Sequence, residues 1–203
     1  MAAWADAGLT LKTYKKGECD RCLTLLTAGH GLVTAFAKGA GRSKSRFFAA
    51  SQPFALSKLK IFEGRGFLSV ADAEVIRGFF GITADYGMYH AACSVLETVC
   101  GMVMPGVPQA ETLRLVTRAL TAIEKGGEPQ LAAAIFKIKY LQREGLAAQS
   151  AEPGGEAVNF ILGLDGQRAF GFRASPETAG KVIRKAAEMT AQALEKRLKT
   201  DSH

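Results

Sequence analysis

The hydrophobic pattern of this chain changes period once, near Gly78, and that change divides what it can fold into. Before it, apolar residues alternate in short runs closed by glycine turns. Leu9-Thr10-Leu11-Lys12-Thr13-Tyr14 ends at Lys15-Lys16-Gly17, and Cys19 to Thr27 stops at Gly29-His30-Gly31. Leu32 to Ala37 ends at Gly39-Ala40-Gly41, Phe54–Phe62 reaches Gly64-Arg65-Gly66, and Phe67–Val75 completes the set. Alternation marks strands with one face buried, so five such runs with tight turns predict a small sandwich or barrel.

Beyond Gly78 the spacing becomes helical. From Tyr86, residues Tyr89, Ala92, Cys93, Leu96, Val99, Cys100 and Val103 recur on one stripe until Met104-Pro105-Gly106. Glu111–Glu124 is a second helix, and Pro129 opens a third whose face is Leu131, Ile135, Ile138 and Leu141. After a Pro/Gly loop at 150–156, Val158–Leu164 and Arg168–Phe172 flank Asp165-Gly166, which suits a hairpin turn. Ser175-Pro176-Glu177 starts a last helix that runs to about Lys199. The expectation is an α+β chain. Its β-barrel domain spans 1–80 and its helical domain 81–203, with a small β-hairpin around 158–172.

Composition removes several classes. The chain has 203 residues, 48% apolar and 22% charged, enough for a packed core. The longest stretch without Asp, Glu, Lys or Arg is Cys22–Ala37, short of the roughly twenty residues of a membrane span. Met1-Ala2-Ala3-Trp4-Ala5-Asp6 shows no signal peptide, and four cysteines are too few for a disulfide scaffold, so a cytoplasmic setting is expected.

The net charge is +7, and its placement says more than its size. Residues 1–80 hold twelve Lys and Arg against six Asp and Glu, while 81–203 hold fourteen against thirteen. Between Asp20 and Glu63 stand Arg21, Lys38, Arg42, Lys44, Arg46, Lys58 and Lys60, with no acid among them. A one-signed field of this kind suits a polyanion, nucleic acid first. Its densest part is Lys38-Gly39-Ala40-Gly41-Arg42-Ser43-Lys44-Ser45-Arg46. Glycines there let the backbone approach phosphate, and the cations neutralise it with little sequence preference. The order of residues is not that of a P-loop. A solvated charged loop is the alternative. Most of the phenylalanines are expected in the barrel core, and Tyr14, beside Lys15 and Lys16, is the candidate for stacking a base. With Arg21, these complete the predicted nucleic-acid contacts: Lys38, Arg42, Lys44, Arg46, Arg21, Lys15, Lys16 and Tyr14.

No catalytic set or metal site is predicted, and no cofactor. Cys19 and Cys22 are three apart in a strand pattern, which sends them to opposite faces. Cys93 and Cys100 read as helix packing. His30, His90 and His203 match no hydrolase or metalloprotease motif.

Gly8-Leu9-Thr10-Leu11-Lys12-Thr13, Gly17-Glu18-Cys19-Asp20-Arg21, Leu23-Thr24-Leu25-Leu26-Thr27 and Gly29-His30-Gly31 resemble the opening of the recombination mediator family RecO. The run Ala37-Lys38-Gly39-Ala40, Lys44-Ser45-Arg46, Gln52-Pro53-Phe54 and Gly64-Arg65-Gly66 is similar in order and spacing, as is Phe136–Leu141 before Gly145. The resemblance covers about residues 8–145. It implies an amino-terminal five-stranded oligonucleotide-binding (OB) fold, a helical carboxy-terminal domain and a non-enzymatic role at the bacterial nucleoid. That role is to bind single- and double-stranded DNA, anneal complementary strands and, with RecR, help the RecA recombinase load. It also implies recognition of the acidic tail of single-strand-binding protein; by charge, Lys139 and Arg143 on one helix face are the candidates, with a solvated helix edge as the alternative. A generic basic OB-fold protein acting on RNA is the alternative. Many members carry a zinc module of two CxxC pairs after the helix ending here at Gly145; this chain has no cysteine beyond Cys100, so no zinc is expected.

Overall fold

The computed structural model describes residues 3–64, 66–147 and 155–200. Arg65 and most of the expected loop at 150–156 lie outside them, as does His203. The chain falls into two compact units, Met1–Phe80 with Val103–Arg114, and Gly81–Met102 with Leu115–His203.

The first unit is a closed barrel of β1 (Ala3–Lys16), β2 (Asp20–Thr27), β3 (Gly31–Ala37), β4 (Ala55–Glu63) and β5 (Leu68–Gly78), in the order β1-β2-β3-β5-β4. All neighbours are antiparallel except β3 and β5, which pair in parallel through Ala35↔Leu68 and Phe36↔Ser69. This is the five-stranded OB fold. Leu23, Leu25, Ala35, Ala37, Leu59, Ile61 and Val70 fill the inside, as a two-residue period demands. The β3–β4 connection closes one end of that core by inserting Ala40 and Phe47, both buried. Withdrawing a phenylalanine side chain from such a site costs about 1.5–3 kcal/mol. Val103–Arg114 belongs with the barrel through a bridge between Gly31 and Pro105 and a bond from the Gln109 amide to the Ala28 carbonyl, 2.7 Å. Gly31, at φ +66°, is needed there, because an added Cβ would lie 2.4 Å from the Val107 carbonyl oxygen.

Phe54 closes the motif Gln52-Pro53-Phe54 with φ +69°, a conformation costly for an aromatic residue. Burial of its ring and two backbone bonds hold it there: its amide donates to the Thr10 carbonyl and its carbonyl accepts from Phe79.

The second unit contains α1 (Tyr86–Met102), most of α2 (Ala110–Glu124), α3 (Pro129–Arg143), α4 (Glu156–Gly163) and α5 (Pro176–Thr200). Pro129 sits at the start of α3, and the Ser175 hydroxyl caps α5 by accepting the Thr178 amide. The α1 stripe lies further round than the spacing suggested: Ala91, Val95, Leu96 and Val99 are buried, whereas Tyr89 is exposed.

One expected element is absent. Residues 158–172 form no hairpin; Glu156–Gly163 is helix and Arg168–Gly171 a 3-10 turn. Val158, Ile161 and Leu162 stand at helical spacing and pack with Ile135, Ile138, Ala179 and Val182. Asp165 does not turn a hairpin. Its carboxylate accepts the amides of Gln167 and Arg168, each at 2.8 Å, and so starts the 3-10 turn.

Candidate nucleic-acid interface

Cross-strand partners share a face, so the register places the barrel's outer side chains. Tyr14 pairs with Cys22, Cys22 with Phe36, and Phe36 with Ser69, making one row across four strands. Tyr14 is 54% exposed, and the Lys16 ammonium lies 5.1 Å above the half-buried Phe36 ring. Phe67, beside the β4–β5 turn, is 55% exposed. Aromatic faces with a cation beside them suit unpaired bases. Phe36 and Phe67 are exceptions to the expectation that most phenylalanines lie in the barrel core; the strand parity of Phe36 against Leu23 and Ala35 is the signal that separates it from them.

The cationic loop lies at the barrel end closed by Ala40 and Phe47. It is a chain of turns tied to its neighbours, not a free tether. The Gly39 amide donates to Asp20 Oδ1 at 2.7 Å, and the Gly41 amide to the Cys19 carbonyl at 2.7 Å. Gly41 permits that approach, since a Cβ would sit 3.0 Å from the Cys19 carbonyl oxygen. Lys38, Arg42 and Lys44 are exposed. A hydrogen bond with the Cys19 side chain, reinforced by its charge and that of Asp20, raises Arg42 further above its ordinary value. Lys38 and Lys44 have no ion pair among the described residues.

The remaining predicted contacts separate from these. Arg46 stacks on Phe47, donates to the Ala71 carbonyl at 2.9 Å and lies 3.4 Å from Asp72. Ala71 stands at a β-bulge opposite Lys60/Ile61, which frees its carbonyl for a side chain. Arg21 and Lys15 face each other on the opposite side from Tyr14 and Lys16, and Arg21 reaches under the loop. Lys58 and Lys60 pair across the sheet with Glu74 and Asp72, so β4 and β5 are nearly neutral outside. Among the described cations of the loop, Lys38 and Lys44 therefore stand exposed without an ion pair, whereas Asp20 lies near Arg42 and pairs in register with Lys16 on the aromatic face.

In the helical unit Lys139 is engaged internally. Its ammonium donates to the carbonyls of Ile161, Leu162 and Leu164 at 3.3, 3.2 and 2.6 Å and to Gln142 Oε1 at 2.6 Å, capping the end of α4. Burial lowers its pKa, and Asp165 opposes that. Arg143 lies over the Tyr140 ring and pairs with Glu144 at 2.6 Å. The structure thus does not present the two as one open cationic face. A different feature went unseen in the sequence: a hollow of about 540 Å³ at the α2–α3 turn, walled by Leu131, Ile135 and Phe170. Its rim carries Arg118, Lys125 and Arg173 against one carboxylate, Glu128. No local spacing could have revealed it, because Arg118 and Lys125, on α2 and at its end, are joined by Arg173 from a segment far along the chain.

Among the described residues no group of three or more His, Cys, Asp or Glu side chains is placed to hold a metal ion. None of their helices is long and apolar enough to cross a membrane.

The family model described as recombination protein O N terminal matches residues 1–79, the five strands of the barrel. The chain is 40% identical over 148 residues to the DNA repair protein RecO of Bifidobacterium animalis subsp. lactis, covering 71% of this chain and 62% of that protein. It is 44% identical over 127 residues to the DNA repair protein RecO of Bifidobacterium adolescentis, covering 62% of this chain and 52% of the relative. The chain therefore spans between about half and three-fifths of the length of these relatives. Residues 1–79 therefore carry the amino-terminal domain of the RecO family, and the chain resembles RecO proteins over 148 residues.

Proposed function

We propose that this chain is a non-enzymatic mediator of recombinational DNA repair. It binds single- and double-stranded DNA, anneals complementary strands and, with RecR, assists loading of RecA at the nucleoid. The observation that carries this reading is the barrel surface itself. An outer face carrying exposed Tyr14 and half-buried Phe36, suited to unpaired bases, stands on the same OB barrel as a loop of cations suited to phosphate. Such a surface holds a strand by its backbone without reading its sequence, which strand annealing requires. The names of the relatives, DNA repair protein RecO, support the same assignment.

The partner in the helical unit is the acidic tail of single-strand-binding protein. The α2–α3 hollow supports it: apolar walls take a hydrophobic side chain, and Arg118, Lys125 and Arg173 meet carboxylates at the rim. Lys139 is left as a helix cap.

The test is annealing by the purified chain of complementary, unrelated-sequence DNA oligonucleotides, with and without single-strand-binding protein, and of RNA pairs in parallel. Annealing of DNA that persists on protein-coated strands is expected. Binding without annealing, or action on RNA alone, would overturn the mediator reading in favour of a generic OB-fold binder.

A further inference from the structure

Arg21 belongs by charge to the cationic set, but it lies on the inner side of the sheet, at the barrel end. It pairs in register with Lys15 and Ala37, on the side of the sheet that carries the buried Leu23 and Ala35. From the end of the barrel its Nη1 donates to Ser51 Oγ at 3.2 Å, and its guanidinium lies 5.2 Å from the centre of the Phe48 ring. Ser51 is fully buried, and its hydroxyl donates to the Phe48 carbonyl at 2.8 Å. The same stretch is held from β1: Thr13 donates to the Ser51 carbonyl at 2.5 Å and Thr10 to the Ala50 carbonyl at 2.7 Å.

We infer that Arg21 is a positioning residue that clamps the carboxy-terminal half of the β3–β4 loop, and that it acts on DNA through that loop rather than by touching phosphate. The loop leaves β3 at Ala37 and is gripped again at Phe48–Ser51, so Lys38, Arg42 and Lys44 lie between two anchored ends. A planar guanidinium can cover a ring and donate sideways in one geometry; an ammonium cannot do both. The inference rests on the reading of that loop as the DNA contact, and the experiment separates the two.

The full chain is titrated with a labelled single-stranded oligonucleotide over a salt series, and amide exchange is followed without DNA in the peptide covering residues 39–52. Arg21→Lys keeps the charge and removes the planar clamp. It is expected to speed exchange at residues 47–52 and to weaken binding about tenfold, the scale of one charge-assisted hydrogen bond. That loss should vanish when Lys38, Arg42 and Lys44 are already alanine, because the loop then has nothing left to position. Ser51→Ala should reproduce the faster exchange with no charge altered. If Arg21→Lys binds and exchanges like the wild type, or if its cost adds in full to that of the alanine variant, Arg21 is a phosphate contact and the inference falls. If the alanine variant binds as tightly as the wild type, the DNA reading of the loop falls instead, and exchange alone decides the role of Arg21.

Discussion

Lys38 of the barrel and Lys139 of the helical unit are the same residue in opposite circumstances. Lys38 stands where β3 ends, exposed, with no ion pair among the described residues. Lys139 points its ammonium at the carbonyls of Ile161 and Leu162 in the last turn of α4 and of Leu164 just beyond it. The barrel loop keeps its cations outward because the carbonyls of Ala37, Gly39, Arg42 and Ser45 already accept the amides of Ala40, Arg42, Ser45 and Phe48. In the helical unit the carbonyls clustered at the end of α4 draw in Lys139 from α3. A cation serves a ligand most readily where the backbone has not already taken it; at the rim of the helical unit's hollow Arg118 and Lys125 are exposed, while Arg173 also donates to the carbonyls of Phe170 and Phe172.

The largest effect is expected from replacing Lys38, Arg42 and Lys44 with alanine. At about 0.9 per phosphate contact, the log–log salt slope on duplex DNA should flatten by about 2.7. An unchanged slope would show that the contrast between free and engaged cations is misplaced. The reciprocal change, Lys125→Glu with Arg173→Glu, should weaken an acidic tail peptide by at least about tenfold, reading each rim pair as an interfacial charge contact. DNA affinity should hardly move; an equal loss of DNA binding would mean that both units serve one polyanion.

Next in size is Lys139→Met, which removes the ammonium from the carbonyls of Ile161, Leu162 and Leu164, leaving Ile161 with the Leu164 amide and Leu162 with Gln142. A loss of about 1–2 kcal/mol in denaturant unfolding is expected, with DNA binding unaltered at temperatures where the variant is folded. Stability equal to the wild type would reclassify Lys139 as a surface cation. A smaller gain is expected from Asp72→Asn. Both partners of the Arg46–Asp72 pair are more than half exposed, so the pair contributes little to stability, but its removal frees Arg46 for phosphate. The salt slope should steepen by less than about 0.9. A flatter slope would mean that Asp72 orients Arg46 toward DNA.

The smallest effect is alkaline. Burial, and then Glu144, push the Tyr140 phenol up to about 12, with Arg143 and Arg197 pulling the other way. The folded value exceeds the ordinary one of about 10, so the neutral phenol's contribution is complete below about pH 10 and is lost as pH rises through about 12. Absorbance titration should show Tyr140 ionising late, and Tyr140→Phe should remove that step. A single tyrosine transition near pH 10 would contradict the burial.

Much of this was legible. Alternation located all five strands, and Pro129 and Ser175-Pro176 marked two helix starts to the residue. Val158–Leu164 was ambiguous for a physical reason: its apolar residues fit a two-residue and a helical period equally well, and Asp165-Gly166 suits both a hairpin and a side-chain-capped turn. Packing against Ile135, Ile138 and Val182 chose the helix. Phenylalanine was equally mute about its destination, since Phe47 plugs the barrel and Phe67 stands outside it.

Local periodicity and charge order alone determined a basic barrel followed by helices, because hydrophobic burial repeats with the geometry of each element and neighbours in sequence carry the signal. Which cations remain available was decided only by the fold. Arg46 meets Ala71 and Asp72, Arg21 meets Phe48 and Ser51, and Lys139 meets Ile161 to Leu164. Each partner lies 22 or more residues away, beyond the reach of any local pattern. Pairing of that kind depends on where two backbones come within a hydrogen bond of each other, and chain closure in three dimensions sets it.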